Sequence, residues 1–515
     1  MRGDRELVWT ATSCTPPVVA RHNKIHKECF MNVILIVLDT WRRDHVGCYD
    51  NSRIHTPNID RFAERGAVFE NAYLASYPTL PCRRDIATGR YEFPWRGWGG
   101  IEPDDVTLGG TVHEAGKVSY FFTDVYHHWT SNPGSGYWRP FSGFDFVRGQ
   151  ERDRYVTDSD IVFDNRTLDY PPHNRPEQPH FRNAQYIRKE ERDWFSPQLF
   201  SRAARWLQHN ADQEFFLMID SFDPHEPWDP PRHYVKLYDD SEDDVMEYPV
   251  APYDWVDGNL TAAELKRVQA IYAGEVTMVD RWVGHFLDQV ENMGLMDDTM
   301  IILASDHGTH NGDHGRTGKN WVLWNEITRI PMIVWHPEFG HGSRPLQFAQ
   351  PVDYFPTVVE AMGLVVPDGV NLHGQSLIPF LRDEDAPGRD AILYGQFSGT
   401  CNITDGEYVL LQGVDESNPP VYAYSSIIAN RNQFDWGANV LRSKQTPARH
   451  PEKHKTRLYH MPSDPEQEND LADGDSDALA RMQRLMVEKL RAIDAPPELL
   501  VRLGLQKEGL WNRIF

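Results

Sequence analysis

The sequence predicts an α/β fold, a mostly parallel sheet flanked by helices. Two observations carry this. Residues 31–38 (MNVILIVL), 214–220 (EFFLMID) and 300–304 (MIILA) are short apolar runs rich in β-branched or bulky side chains, the pattern of strands buried on both faces. Segments with helical spacing separate such runs, and strand–helix alternation builds parallel sheets covered on both sides. At 515 residues the chain can bury a large core, and two lobes of one unit are expected.

Taken in order, residues 1–30 mix Arg, Asp, Glu, Pro and Lys with no continuous apolar stretch, so they read as an upstream extension and not as a signal peptide. The run at 31–38 is the first strand and ends in Asp39-Thr40-Trp41-Arg42. Residues 56–66 (TPNIDRFAERG) have apolar residues at helical spacing and a closing Gly, which reads as a helix. In Thr79-Leu80-Pro81-Cys82-Arg83, Pro81 suits the first turn of a helix, where its missing N–H costs nothing. Residues 117–122 (KVSYFF) form another strand, followed by Thr123-Asp124-Val125-Tyr126-His127-His128. Residues 148–195 break the pattern with Arg, Asp, Asn and Pro, and read as a long surface excursion able to reach over a pocket. The strand at 214–220 leads into DPHEPWDPP, residues 260–295 form a long helical region, and the strand at 300–304 ends in Ser305-Asp306-His307-Gly308.

Composition excludes some classes. A formal net charge of −24 argues against nucleic acid and against an anionic membrane surface as partners. It leaves a small anionic ester as substrate open, because a local metal and a few cations control a site. No run of about 18 apolar residues occurs, so no membrane-spanning helix is expected. Five cysteines, Cys14, Cys29, Cys48, Cys82 and Cys401, have no paired spacing, which points to a reduced, cytoplasmic protein. A homo-oligomer is compatible with all of this.

The chemistry concentrates at strand ends. Asp39 and Asp306 each follow a buried strand, where open α/β sheets place their ligand sites. Either one alone reads as a loop or helix cap. Thr79 lies at a helix N-terminus, where free N–H groups and the helix dipole stabilise an anion or a forming alkoxide. Arg83, one turn on, can face the same anion. A hydroxyl needs a base or a metal to attack at neutral pH.

With Thr88-Gly89-Arg90 closing the segment, Thr79 to Arg90 resembles the signature of the sulfatases of the alkaline phosphatase superfamily. That signature has Cys or Ser, any residue, Pro, any residue and Arg, then Thr-Gly-Arg at a fixed offset. Pro81, Arg83, Thr88, Gly89 and Arg90 match, but the nucleophile position is Thr79. Threonine is not converted to formylglycine, and Cys82 lies three residues too late, so no formylglycine is expected. The resemblance implies an alkaline-phosphatase-like catalytic domain over residues 31–385. It also implies a C-terminal α+β subdomain over 386–515, with an antiparallel sheet and terminal helices, behind the 1–30 extension.

The resemblance also implies roles. Asp39, Asp306 and His307 are expected to bind a divalent cation beside Thr79, with Thr40 in the same group. An O,O,N set with a hydroxyl favours Mn²⁺ or Zn²⁺, and Ca²⁺ or Mg²⁺ are compatible. One ion is expected, because Asp220, Asp223 and His225 lack the Asp-x-x-x-His spacing of two-metal relatives. His225 falls in a segment like the family's H-x-P loop and is expected to serve the leaving group. Lys319 falls at the family's lysine position, able to neutralise nonbridging oxygens. Thr123 and His127 are candidate contacts to the substrate head group, and His310 and His314 are candidate supports behind the metal ligands. Thr40 after the first Asp and His307 after the second resemble the phosphonate monoester hydrolase and phosphodiesterase branch. The expected activity is hydrolysis of phosphate diesters or phosphonate monoesters through a phospho-threonine. The alternatives are a sulfate-ester hydrolase using unmodified Thr, a phosphoryl transferase, and a degenerate sulfatase-like binding protein.

Overall fold

Seven strands form the central sheet of the computed structural model, which describes residues 31–130, 136–157, 178–241, 245–319, 322–414, 421–425, 434–435, 441–444 and 451–506. The 1–30 extension, Cys14, Cys29 and residues 158–177 of the surface excursion lie outside the described residues. In chain order the strands used below are β1 (Asn32–Leu38), β2 (Ala67–Val68), β3 (Ser76–Tyr77), β4 (Val118–Thr123), β5 (Gly143–Phe146), β6 (Phe215–Ser221), β7 (Thr299–Ser305) and β8 (Met332–Trp335). β9 (Ile392–Gln396), β10 (Cys401–Thr404), β11 (Tyr408–Gln412) and β12 (Arg457–His460) follow. The central sheet has the order β2-β8-β7-β1-β6-β4-β5. β7, β1, β6, β4 and β5 are mutually parallel, and β8 is antiparallel to both its neighbours. In register, Leu35 of β1 stands between Met218 of β6 and Ile302 of β7.

The continuous apolar run of β1 has a simple cause, since successive side chains alternate between faces and both faces are covered. Ile34, Ile36 and Leu38 enter one core with Phe200 and Leu207 of α3 (Phe195–Asn210) and Val268 and Val279 of α4 (Ala262–Asn292). Val33, Leu35 and Val37 enter the other, with Tyr354, Phe355 and Val358 of α5 (Tyr354–Ala361). Each fully buried aliphatic side chain contributes about 1.5–3 kcal/mol, so a polar substitution anywhere in β1 would damage one of the two cores. α4 is the long helix read at 260–295. It starts on a capping box, Thr261 Oγ1 accepting from Glu264 N–H and Glu264 Oε2 from Thr261 N–H. The helix read at 56–66 is α1 (Pro57–Ala63), and the Thr79 segment is α2 (Thr79–Thr88).

A second sheet, β12-β11-β10-β9-β3, is antiparallel except for the β9–β3 pair. The final long helix, α6 (Ser476–Ala492), packs Met482, Met486 and Leu490 against it with Leu393, Ile403 and Leu410. Its parallel edge strand, β3, comes from far upstream and ends two residues before Thr79, with Gly395 paired to Ser76 and Gln396 to Tyr77. No helix among the described residues is long and apolar enough to cross a membrane.

Candidate active site

The parallel strands converge on one polar cluster at their C-terminal ends. β1 leads to Asp39, β7 to Asp306 and His307, and β6 carries Asp220. α2 meets this cluster with its N-terminal turn, Thr79 being its first residue and Pro81 its third. Gly89, at φ 66°, ends the helix in the left-handed conformation that favours glycine.

His307 organises the centre. Its Nδ1 lies 2.9 Å from the Gly308 carbonyl, which can only accept, so Nδ1 carries the proton. Residue 308 must be glycine, because a Cβ there would lie 1.9 Å from the Glu326 carbonyl oxygen. Nε2 is left with a lone pair, 3.3 Å from Thr79 Oγ1, 3.3 Å from Asp306 Oδ2 and 3.8 Å from Asp39 Oδ1. Burial keeps the imidazole neutral by pushing it down to about 4.

Arg83 ties the carboxylates together. Its Nη2 donates to Asp220 Oδ1 at 2.6 Å, its Nε donates to the same carboxylate at 3.2 Å, and its Nη1 donates to Asp306 Oδ2. Asp39 Oδ2 lies 3.2 Å from Nη2. Burial, the largest single influence, would raise the Asp220 and Asp306 carboxyls, but Arg83 together with His128 at Asp220, and with His307 and the Thr40 N–H at Asp306, holds both low. Asp39 fares differently, since burial and then Asp306 push it up to about 8. Three carboxylates against one guanidinium leave an excess of negative charge, and Asp39 Oδ2 accepts no hydrogen bond among the described residues.

These residues fit a divalent cation. Ligand atoms of Asp39, Asp306 and His307 lie within 4.8 Å of one another and all three residues are buried. Two carboxylates, a bare imidazole nitrogen and the Thr79 hydroxyl are the donor types such an ion takes. Thr40, at φ 62°, donates its hydroxyl to Asp39 Oδ1 at 2.8 Å and its N–H to Asp306 Oδ1 at 3.0 Å, which orients both carboxylates.

Thr79 also lines a cavity of about 440 Å³, with His127, Glu151, His225, Tyr253 and Lys319 among the other wall residues. Lys319 Nζ donates to His225 Nε2, while His225 Nδ1 contacts the Glu226 carbonyl. Burial, and then Lys319, hold the His225 imidazole well below the usual range. His225 stacks on Phe222 at 4.0 Å between ring centres. Trp98, which also lines the cavity, meets His127 edge-on at 4.9 Å.

Two expectations need correction. Thr123 does not reach the cavity. It is fully buried at the end of β4, and its hydroxyl accepts the Val125 N–H at 3.0 Å. Arg83 stands among the strand-end carboxylates and not on the cavity wall. His310 and His314 lie together near Trp324, with His314 stacked on its ring at 4.0 Å and 3.5 Å from Glu326. Cys82 is fully buried in the core with Val37 and Tyr354, away from the cavity.

Asp220 and Glu151 were missed. Asp220 carries the same signal as Asp39 and Asp306, an acid closing a buried strand. Glu151 lies in an irregular stretch with no such signal.

The sulfatase family profile matches residues 31–364, well over half of the chain. The chain belongs to the sulfatase family. It is similar to an arylsulfatase of Clostridium perfringens, 26% identical over 412 residues that cover 71% of this chain and 81% of that one. It is also similar to the multifunctional alkaline phosphatase superfamily protein PehA of Trinickia caryophylli, 25% identical over 420 residues, covering 68% and 77%. Among solved structures, the phosphonate monoester hydrolase of Agrobacterium radiobacter superposes with a TM-score of 0.65 at 20% identity, covering 90% of this chain and 95% of that one. The phosphonate monoester hydrolase SpPMH of Silicibacter pomeroyi superposes at 0.64 with 19% identity, covering 91% and 96%. This sulfatase-family member therefore has the alkaline-phosphatase-like fold and is an ester hydrolase by family.

Proposed function

We propose that this sulfatase-family enzyme hydrolyses phosphate diesters or phosphonate monoesters with Thr79 as nucleophile. One observation supports this above the rest. The hydroxyl that stands at the α2 N-terminus, on the cavity wall and 3.3 Å from His307 Nε2, belongs to a threonine. The one cysteine of that helix is sealed in the core.

In this reading Asp39, Asp306 and His307, with the Thr79 hydroxyl, hold a divalent cation that supplies positive charge beside the nucleophile. Thr79 Oγ forms a bond to phosphorus as the P–O bond to the ester oxygen breaks, and its hydroxyl proton passes to solvent. The leaving oxygen takes the proton that lies between Lys319 and His225, and the pair takes one back from solvent. Water then attacks phosphorus, the phospho-threonine bond breaks at its P–O link, and a proton of the attacking water goes to Oγ. The N–H groups of the first α2 turn and Lys319 balance the charge on the nonbridging oxygens. Arg83 acts from behind by fixing the carboxylates.

A second reading is sulfate-ester hydrolysis, favoured by the family and by the arylsulfatase relative. It shares every residue named above. Formylglycine releases sulfate by elimination from its hydrate, a route closed to a threonine ester. A degenerate binding protein is disfavoured by the intact Asp39, Asp306 and His307 cluster. The test is kcat/KM for aryl sulfate, aryl phosphate monoester, phosphodiester and phosphonate monoester with defined metals. Diester or phosphonate should lead aryl sulfate by more than about tenfold, about 1.4 kcal/mol of transition-state stabilisation. Aryl sulfate in first place, with Thr79 unmodified by mass spectrometry, would establish the second reading instead.

A further inference from the structure

Two large aromatic side chains stand half-exposed on the wall of the cavity that Thr79 lines. Trp98 and Tyr253 are each 48% exposed. A single exposed aromatic residue is ordinary on a protein surface. These two are not scattered, since they share one concave wall with Thr79, His225 and Lys319.

Tyr253 has a built seat. A Cβ at residue 318 would collide with its ring, and Gly318, at φ 76°, has the left-handed backbone that favours glycine. The ring therefore lies against bare backbone one residue before Lys319. Trp98 reaches the same place through a row of rings. It meets His127 edge-on at 4.9 Å, His127 meets Phe222 at 5.9 Å, and Phe222 stacks on His225 at 4.0 Å. Both aromatic residues thus neighbour the Lys319–His225 contact. In the reaction proposed above that pair protonates the leaving oxygen, so the group which that oxygen carries emerges beside Trp98 and Tyr253. An alkyl chain would gain only apolar contact there, whereas a flat ring also gains the offset-stacked or edge-to-face geometry that aromatic pairs prefer.

We propose that Trp98 and Tyr253 determine leaving-group specificity by holding a flat aromatic ring on the leaving oxygen, in preference to a short alkyl chain. The inference rests on the ester-hydrolase reading above and names the substrate class by the shape of its alcohol. Concave sites gain most of their contact from such rings, while a few polar groups fix the orientation.

The test measures binding, with Thr79→Ala as background and Mn²⁺ present. Calorimetric Kd values are taken for phenyl, cyclohexyl and ethyl methylphosphonate, all monoanions with one head group. Phenyl should bind at least about tenfold tighter than ethyl, through the apolar area it buries. It should bind about threefold tighter than cyclohexyl, which has similar bulk but no flat face. Adding Trp98→Ala or Tyr253→Ala should each lower the phenyl-to-ethyl ratio at least about threefold. A ratio on one preparation is insensitive to the folded fraction. Tyr253→Phe should keep the ratio, because the ring and not the hydroxyl makes the contact. An unchanged ratio in both alanine variants, cyclohexyl binding as tightly as phenyl, or a loss in Tyr253→Phe equal to that in Tyr253→Ala overturns the proposal. Turnover of sulfate esters alone by the wild type would sink the proposed activity. The same comparison on phenyl and ethyl sulfate then decides the role of the two rings.

Discussion

Arg83 and Asp220 form a completely buried ion pair in which two guanidinium nitrogens donate to one carboxylate, at 2.6 and 3.2 Å from Oδ1. The same Asp220 lies 2.7 Å from His128 Nε2, in the short helix His127–Thr130, so two helices and a strand meet on one side chain. Asp220→Ala leaves Arg83 with Asp306 and Asp39 but removes two of its charge-assisted hydrogen bonds, and is expected to cost about 1.5–3 kcal/mol of stability. Asp220→Asn keeps the shape but loosens Arg83, and its kcat should fall by about 10²-fold with little change in KM. Thermal melts and kinetics on both variants check this. Wild-type kcat in Asp220→Asn would show that Arg83 needs no such anchor.

Thr79→Ala should lower turnover by at least about 10³-fold with an unchanged melting temperature, since it removes the attacking atom and little packing. Thr79→Ser should keep part of the activity. Mass spectrometry should find residues 79 and 82 unmodified. Full activity in Thr79→Ala sinks the nucleophile assignment.

Asp39→Ala, Asp306→Ala and His307→Ala should each lower metal content and activity together. Elemental analysis should return about one divalent ion per wild-type chain, because one cluster of suitable ligands occurs among the described residues. Chelation should abolish activity, and one added equivalent should restore it. Two tightly held ions, both needed for turnover, would contradict the single-site reading.

His225→Ala should slow esters with poor leaving groups by about 10²-fold or more and leave nitrophenyl esters nearly unaffected, because a good leaving group needs little help from an acid. The measurement is the dependence of kcat/KM on leaving-group pKa. An equal loss across the series would give His225 a role other than proton delivery.

Three histidines outside the cavity predict loss of stability in acid. Burial pushes His310 and His336 down to about 4 and His373 to about 3. In the unfolded chain they titrate near 6.5, so between pH 6.5 and 4 the unfolded state binds more protons and stability falls as pH falls. At pH 5 the fully buried His310 contributes a loss of about 2 kcal/mol, and His336 and His373, nearer to solvent, contribute less. The melting temperature should drop steeply from pH 7 to 5 and less so in His336→Gln. A flat profile over that range would contradict the buried neutral state.

The strands and their terminal acids were legible because burial on both faces leaves a plain mark. An uninterrupted apolar run such as 31–38 suits little besides a strand covered on both sides, and an Asp that ends it stands out. The α2 start was legible through Pro81. Thr123 misled because a strand-end hydroxyl looks the same in sequence whether it turns to a ligand or, as here, to its own backbone two residues on. Arg83 was legible as a site residue, but its attachment to Asp220 depends on a pairing across 137 positions. Glu151 left no trace, since its place on the wall comes from a strained turn locked by His180.

The pairing of β9 with β3 makes the last quarter of the chain a mount for the Thr79 hydroxyl. Gly395 N–H holds the Ala75 carbonyl at 3.0 Å, and Gln396, from the same strand, lines the cavity beside Thr79. A fragment that stops before residue 392 would keep Asp39, Asp306 and His307 yet lose the brace that aims Thr79. It should still load metal and fail to turn over. Grafting a different C-terminal portion onto this region thus amounts to re-aiming the proposed nucleophile, and not to exchanging an accessory.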